Sequence, residues 1–102
     1  MTDRLPPHWL DVSTDAPLRK RLSAQLRREC GPKHVLATRG LTCSAKCEGC
    51  DSALVALDDD EWAVVHLTWG GAQSDPQLPW VEALGAWEDV LPVLNAHSSG
   101  MH

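Results

Sequence analysis

Phenylalanine and tyrosine are absent from the 102 residues, and the aromatic content is five tryptophans. Large aromatic volume in the core therefore comes from Trp alone, and each buried indole brings an N–H that needs an acceptor. Long apolar runs are missing too. No stretch approaches the roughly 20 residues that a membrane-crossing helix needs. Asp3, Pro6, Pro7, Asp11 and Asp15 interrupt the first twenty residues, which excludes an apolar signal core there. The expectation is a cytoplasmic chain with no membrane contact. Positive charge is nearly absent from the second half: residues 41–102 hold Lys46 and ten acidic residues, a net of −9, against +4 for residues 1–40. With an overall charge of −5, the chain is acidic and disfavours non-specific nucleic-acid binding.

What is present fits one small α+β domain over residues 1–102, with 43% apolar and 23% charged residues. Residues 1–14 read as an irregular segment, with Trp9 and Leu10 docked on the core. A helix is expected over about residues 15–30. Thr14 or Asp15 caps it, Pro17 sits in its first turn, Leu18, Leu22 and Leu26 form its apolar stripe, and Gly31-Pro32 stops it. His34–Thr38 and Gly40–Ser44 read as short strands, and Lys46–Gly49 as a turn.

The strongest signal is a hairpin, about 52–57 and 62–69, around the acidic tip Asp58-Asp59-Asp60-Glu61. Ala72–Leu78 reads as a surface loop and Pro79–Leu84 as an edge strand. A final helix over about 86–95 carries Trp87, Val90, Leu91 and Leu94 at helical spacing. Pro92 should kink or split it, and residues 96–102 read as a frayed tail. The expected fold is a small antiparallel sheet of three to five strands between these N-terminal and C-terminal helices.

A four-residue tip sets the expected register. Leu57 then faces Trp62, Val55 faces Val64, Ala53 faces His66, and Asp51 faces Thr68, all on one face. The other face, through Leu54, Val65 and Leu67, is apolar and packs under the helices. In this register Asp51 and His66 are diagonal neighbours. A carboxylate beside an imidazole suits a general base, a metal ligand with its supporting group, or a structural hydrogen bond.

The four cysteines are Cys30, Cys43, Cys47 and Cys50. Without an export signal they read as thiols or metal ligands, not as a disulfide framework. Cys43, Cys47 and Cys50 have the C-x3-C-x2-C spacing of radical S-adenosylmethionine enzymes, but the chain is too short for the barrel such enzymes need. Cys47-Glu48-Gly49-Cys50 also suits a zinc knuckle, with Cys43 as a third ligand and His34, Cys30 or His66 as a fourth. A thioredoxin-like pair should open a helix, whereas this motif precedes a strand. The reading without metal leaves all four as plain thiols, with Cys30 and Cys50 in the core.

Cys50-Asp51-Ser52-Ala53-Leu54 and Trp62-Ala63-Val64-Val65-His66-Leu67-Thr68-Trp69 resemble a group of small uncharacterised bacterial proteins with a central A-V-V-H-L-T-W strand. Gly31-Pro32-Lys33-His34-Val35-Leu36 and Trp87-Glu88 fit as well, so the resemblance spans about residues 20–90. Ser52 stands where the group suggests a second acidic residue and Ala56 where it suggests an aromatic. Cys43 and Cys47 fall outside the pattern. The resemblance implies His34, Cys50, Asp51, His66, Thr68 and Trp69 as positions of interest and names no reaction.

Three functions compete. The leading expectation is a binding module for a protein partner or small ligand, of which an immunity-type, toxin-neutralising protein is one form. Its binding positions would be His34, Asp51, His66, Thr68 and Trp69, and it requires no cofactor. The second is a small hydrolase or transferase, with Cys50 or Thr68 as nucleophile, His66 as base and Asp51 orienting it. The third is a zinc-stabilised module through Cys43, Cys47 and Cys50. Enzyme activity is left open, as is a homodimer formed through the edges of so small a sheet.

Overall fold

A computed structural model describes residues 5–71 and 78–98. The chain runs β1 (Trp9–Asp11), α1 (Ala16–Glu29), β2 (Leu41–Cys47), β3 (Ser52–Leu57), a 3-10 turn (Asp58–Asp60), β4 (Trp62–His66), β5 (Trp80–Gly85) and α2 (Trp87–Ser98). The five strands form one sheet in chain order, each antiparallel to the next. Leu22 and Leu26 of α1 pack with Cys43, Ala53, Val55, Ala63 and Val65 on one face. Val90 and Leu94 of α2 pack with Ala45, Cys47, Leu54 and Val64 on the other. The architecture is therefore α+β, a sheet between two helices. None of the described helices is long and apolar enough to cross a membrane.

Local chemistry accounts for both helix starts. Asp15 Oδ1 accepts from Leu18 N at 3.2 Å, and Pro17 lies in the first turn of α1. Arg27 and Arg28 sit in its last turn, where positive charge opposes the helix dipole. At the start of α2, Asp89 Oδ2 accepts from Ala86 N at 2.9 Å. Gly85 (φ 151°) precedes it, and a Cβ there would stand 2.6 Å from the same oxygen. Only glycine therefore allows this tight entry. Pro92 does not split α2, which runs unbroken to Ser98; its ring is solvent-exposed, so the N–H that proline lacks is missing from a face that water can reach.

Four other expectations are corrected. Residues 9–11 of the segment read as irregular form β1, because Trp9, Leu10 and Asp11 pair with Cys47, Lys46 and Ala45. Trp9 is buried while Leu10 is exposed. His34–Thr38 forms successive turns, not a strand. Arg27 donates to Leu36 O and Ala37 O within it and to Arg39 O just beyond it, and His34 O accepts from Ala37 N, so these carbonyls need no strand partner. Lys46 and Cys47 belong to β2, and the bend falls at Glu48–Asp51. Residues 96–98 are helical rather than frayed. The rest of the expected tail, most of the expected loop at Ala72–Leu78, and residues 1–4 lie outside the described residues.

The hairpin exists, but its register differs by one residue. Ala56 pairs with Trp62, Leu54 with Val64, and Ser52 with His66. The reason lies in the tip. Leu57 N donates to Glu61 O at 2.8 Å, so three residues turn the chain and not four. Asp59 (φ 60°) and Asp60 (φ 59°) both take the left-handed conformation, which Asp tolerates better than most residues. Arg39 pins this bend by binding the carboxylates of Asp58 and Glu61.

A slip of one residue exchanges the faces of β4 relative to β3. Ala53 and Val55 now share the α1 side with Ala63 and Val65, and Leu54 shares the α2 side with Val64. Burial on both sides explains why both strands read as continuous apolar runs. The expected half-polar face does not form.

Strand β4 also ends earlier than expected, at His66. The carboxylate of Glu29, fully buried, accepts from Thr68 N (2.7 Å), Thr68 Oγ1 (2.9 Å) and Trp69 N (2.9 Å). This draws Thr68 and Trp69 out of the ladder, with Trp69 at φ 64°.

Candidate metal centre

Cys47 is the last residue of β2, and its side chain points toward α2. The following bend brings Cys50 back beside it. Lys46 Nζ donates to the carbonyls of Cys47 and Cys50, closing the loop from outside. Glu48 N donates to His8 O at 2.9 Å, tying the bend to the residue that precedes β1. Burial pushes the Cys47 thiol pKa up, and the adjacent Cys50 side chain adds to this; backbone hydrogen bonds from Gly49 and Cys50 pull it down. Backbone amides aimed at a sulfur are what a glycine in this loop permits.

The third member comes from α2. Val90, Leu94 and His97 lie on one stripe of that helix, and all three are buried against the sheet. His97 Nδ1 lies 3.3 Å from Cys50 Sγ and 3.8 Å from Cys47 Sγ. The three ligand atoms all fall within 4.8 Å of one another, and this group could hold a metal ion. Tetrahedral zinc, with Zn–S near 2.3 Å and Zn–N near 2.0–2.1 Å, requires an N···S edge of about 3.6 Å. The two observed separations bracket that length. Trp9 covers the site, its ring centroid 5.4 Å from that of His97 in an edge arrangement, and Trp9 Nε1 donates to Leu94 O at 3.1 Å.

Glu82 supports the imidazole. Val64 pairs with Ala83 and Val65 with Val81, so Glu82 is the extra residue of a β-bulge. The bulge aims its side chain at α2. Its Oε2 lies 2.7 Å from His97 Nε2, and its Oε1 accepts from Ser52 Oγ at 3.0 Å. A carboxylate can only accept, so Nε2 carries the proton and Nδ1 turns its lone pair toward the sulfurs. His66, half-exposed, stands on the outer side with Nδ1 3.4 Å from Ser52 Oγ and 3.8 Å from Glu82 Oε1.

The residues singled out from sequence are dispersed. Asp51 and His66 do not meet: Asp51 Oδ1 accepts from Trp69 Nε1 at 2.9 Å, and His66 faces Ser52 and Glu82. The single-residue register change is the cause. Thr68 and Trp69 belong with Glu29. His34 is buried elsewhere, with Nε2 2.8 Å from Pro79 O and Nδ1 accepting from Leu36 N at 3.0 Å. Cys43 lies on the α1 side among Val12, Leu22 and Leu26, away from Cys47 and Cys50, because a register irregularity between Cys43 and Ala45 changes the strand's facing. Burial pushes its thiol up to about 11. Cys43 and Cys47 are the fully buried thiols, whereas Cys30 and Cys50 are half-buried, the reverse of the expected core pair.

Sequence reasoning missed Glu82 and His97. The stripe 90–94–97 was a usable signal for His97, but it ran into a segment read as tail. Nothing local marks Glu82, since a bulge is set by strand pairing.

Fold and site together define a small α+β protein with a Cys–Cys–His group at the corner where the sheet meets its C-terminal helix. No family model matches the chain, and no curated protein or solved structure matches it.

Proposed function

We propose that this chain is a zinc-dependent binding module in which Cys47, Cys50 and His97 hold the ion. The observation that carries this reading is the convergence of two thiols on an imidazole nitrogen whose opposite nitrogen is held by Glu82 at 2.7 Å. Two sulfur donors and one imidazole favour zinc over calcium, magnesium or manganese. Binding releases the thiol protons, so uptake is stronger at higher pH. The ion would tie the β2–β3 corner to α2, joining segments 47 residues apart in sequence. Three protein ligands leave one position for water or for a donor atom from a partner. The Cys43 ligand expected from spacing is replaced by His97. A role in binding a protein partner accords with the net charge of −9 over residues 41–102.

The test is the metal content of the full chain purified without chelator. About one zinc per chain is expected, and cobalt substitution should give sulfur-to-cobalt charge-transfer absorption. Cys50→Ser and His97→Ala should each lose the ion, and Cys43→Ser should keep it. Metal-free protein with four titratable thiols, whose melting temperature ignores added zinc, would end this reading.

A further inference from the structure

At the bend before β3, Cys50 is half-buried and Cys47 is buried. Their side chains are in hydrogen-bond contact, with the sulfurs within 4.8 Å of each other. His97 Nδ1 lies 3.3 Å from Cys50 Sγ, and Glu82 Oε2 holds the opposite ring nitrogen at 2.7 Å. Ser52 Oγ in turn donates to Glu82 Oε1 at 3.0 Å. A sulfur, an imidazole with its lone pair toward that sulfur and a carboxylate that fixes the tautomer are the parts of an activated thiol nucleophile. In a thioredoxin-like pair a helix N-terminus does the activating; here an imidazole stands in that place. Cys30 and Cys43 pack on the α1 side of the sheet and do not join this group.

We propose that Cys50 is a redox-active nucleophile that reduces a hydroperoxide, with His97 as its base and Cys47 as the resolving thiol. A hydroperoxide fits because Cys50 is half-buried: the oxidant must be small and needs to bring only one oxygen to the sulfur. Cys50 Sγ attacks that oxygen, and the O–O bond breaks. The thiol proton passes through His97 Nδ1 to the departing oxygen, giving an alcohol and a sulfenic acid on Cys50. The Cys47 sulfur then attacks the Cys50 sulfur. The S–O bond breaks, the hydroxyl leaves as water with the Cys47 proton, and a disulfide closes. In sum the two thiols lose two electrons and two protons, and the hydroperoxide becomes one alcohol and one water. A small thiol reductant restores the pair by exchange, becoming a disulfide itself. Glu82 is a positioning residue, acting through the His97 tautomer. Zinc would use the same sulfurs, so the two states exclude each other. The proposal concerns the metal-free pair and does not rest on zinc.

The experiment adds hydrogen peroxide to the full chain, reduced and desalted, as purified and again after EDTA treatment. Alkylation and peptide mapping should show a Cys47–Cys50 disulfide, with Cys30 and Cys43 still alkylated. The EDTA-treated chain should oxidise about 100-fold faster than the same chain in urea, the scale of one positioned base. In Cys47→Ser, dimedone should label Cys50. His97→Ala should lose most of the rate advantage, and added imidazole should restore part of it. Glu82→Gln should slow oxidation about tenfold while leaving the rate in urea unchanged. Should His97→Ala not fold, Glu82→Gln and the labelling of Cys47→Ser decide. Folded and urea-unfolded chains oxidising alike, first labelling at Cys30 or Cys43, full speed in His97→Ala, or a chain that unfolds when EDTA is added would each overturn the proposal. Zinc content is measured on the same samples. A zinc-free chain that closes the disulfide ends the zinc reading and keeps this one; a zinc-loaded chain whose thiols gain no speed after EDTA does the reverse.

Discussion

Glu82 Oε2 sits 2.7 Å from His97 Nε2, so the carboxylate on a bulged edge strand sets which imidazole nitrogen faces Cys47 and Cys50. Glu82→Gln keeps the shape and removes the charge. Zinc affinity should fall about 10- to 100-fold, as is usual when the group behind a ligating histidine is changed. Competition against a chromophoric chelator measures this, and unchanged affinity would detach Glu82 from the site.

Glu29 is the other acidic residue on which local structure depends. Its two oxygens accept from Gln25, Thr68 and Trp69, with no exposure to solvent. Glu29→Gln turns one of those oxygens into a donor facing donors. Urea denaturation should show a loss of about 3 kcal/mol, the scale of broken charge-assisted bonds with a buried group left unpaired. The Trp69 indole resonance should move as its backbone is released.

Cys43 sets an alkaline limit. Its folded thiol pKa is about 11 against 9.0 for the free group. Below pH 9 the thiol is protonated in both states, and its contribution is fully present. Between pH 9 and 11 the unfolded chain loses the proton first, so stability falls as pH rises. The loss is about 2–3 kcal/mol across that window. Cys43→Val should flatten the thermal-stability profile above pH 9, and an equally steep profile would assign the effect to other groups.

Trp9 serves both packing and hydrogen bonding. Trp9→Phe keeps a ring near His97 but removes the donor to Leu94 O. Stability should drop by about 1–3 kcal/mol, combining the lost bond with the smaller ring. Thermal melting with and without zinc checks this; the drop should appear in both.

Local pattern alone determined a good deal. Asp15, Pro17 and the leucines at 18, 22 and 26 specify α1, because capping and a period near four need no partner from elsewhere in the chain. Two apolar runs around four acidic residues specify a hairpin, and Cys47-Glu48-Gly49-Cys50 specifies a tight loop with two sulfurs. Tertiary structure decided what those elements bring together. Two left-handed aspartates and the Arg39 clamp shortened the tip by one residue, and strand side chains alternate with a period of two, so that one step moved His66 from Asp51 to Ser52 and Glu82. A bulge in the β4–β5 pairing aimed Glu82, and the packing of α2 across the sheet delivered His97 to a cysteine 47 residues earlier. Such meetings depend on strand register and on how layers stack, and both are set by the whole chain rather than by the residues that meet.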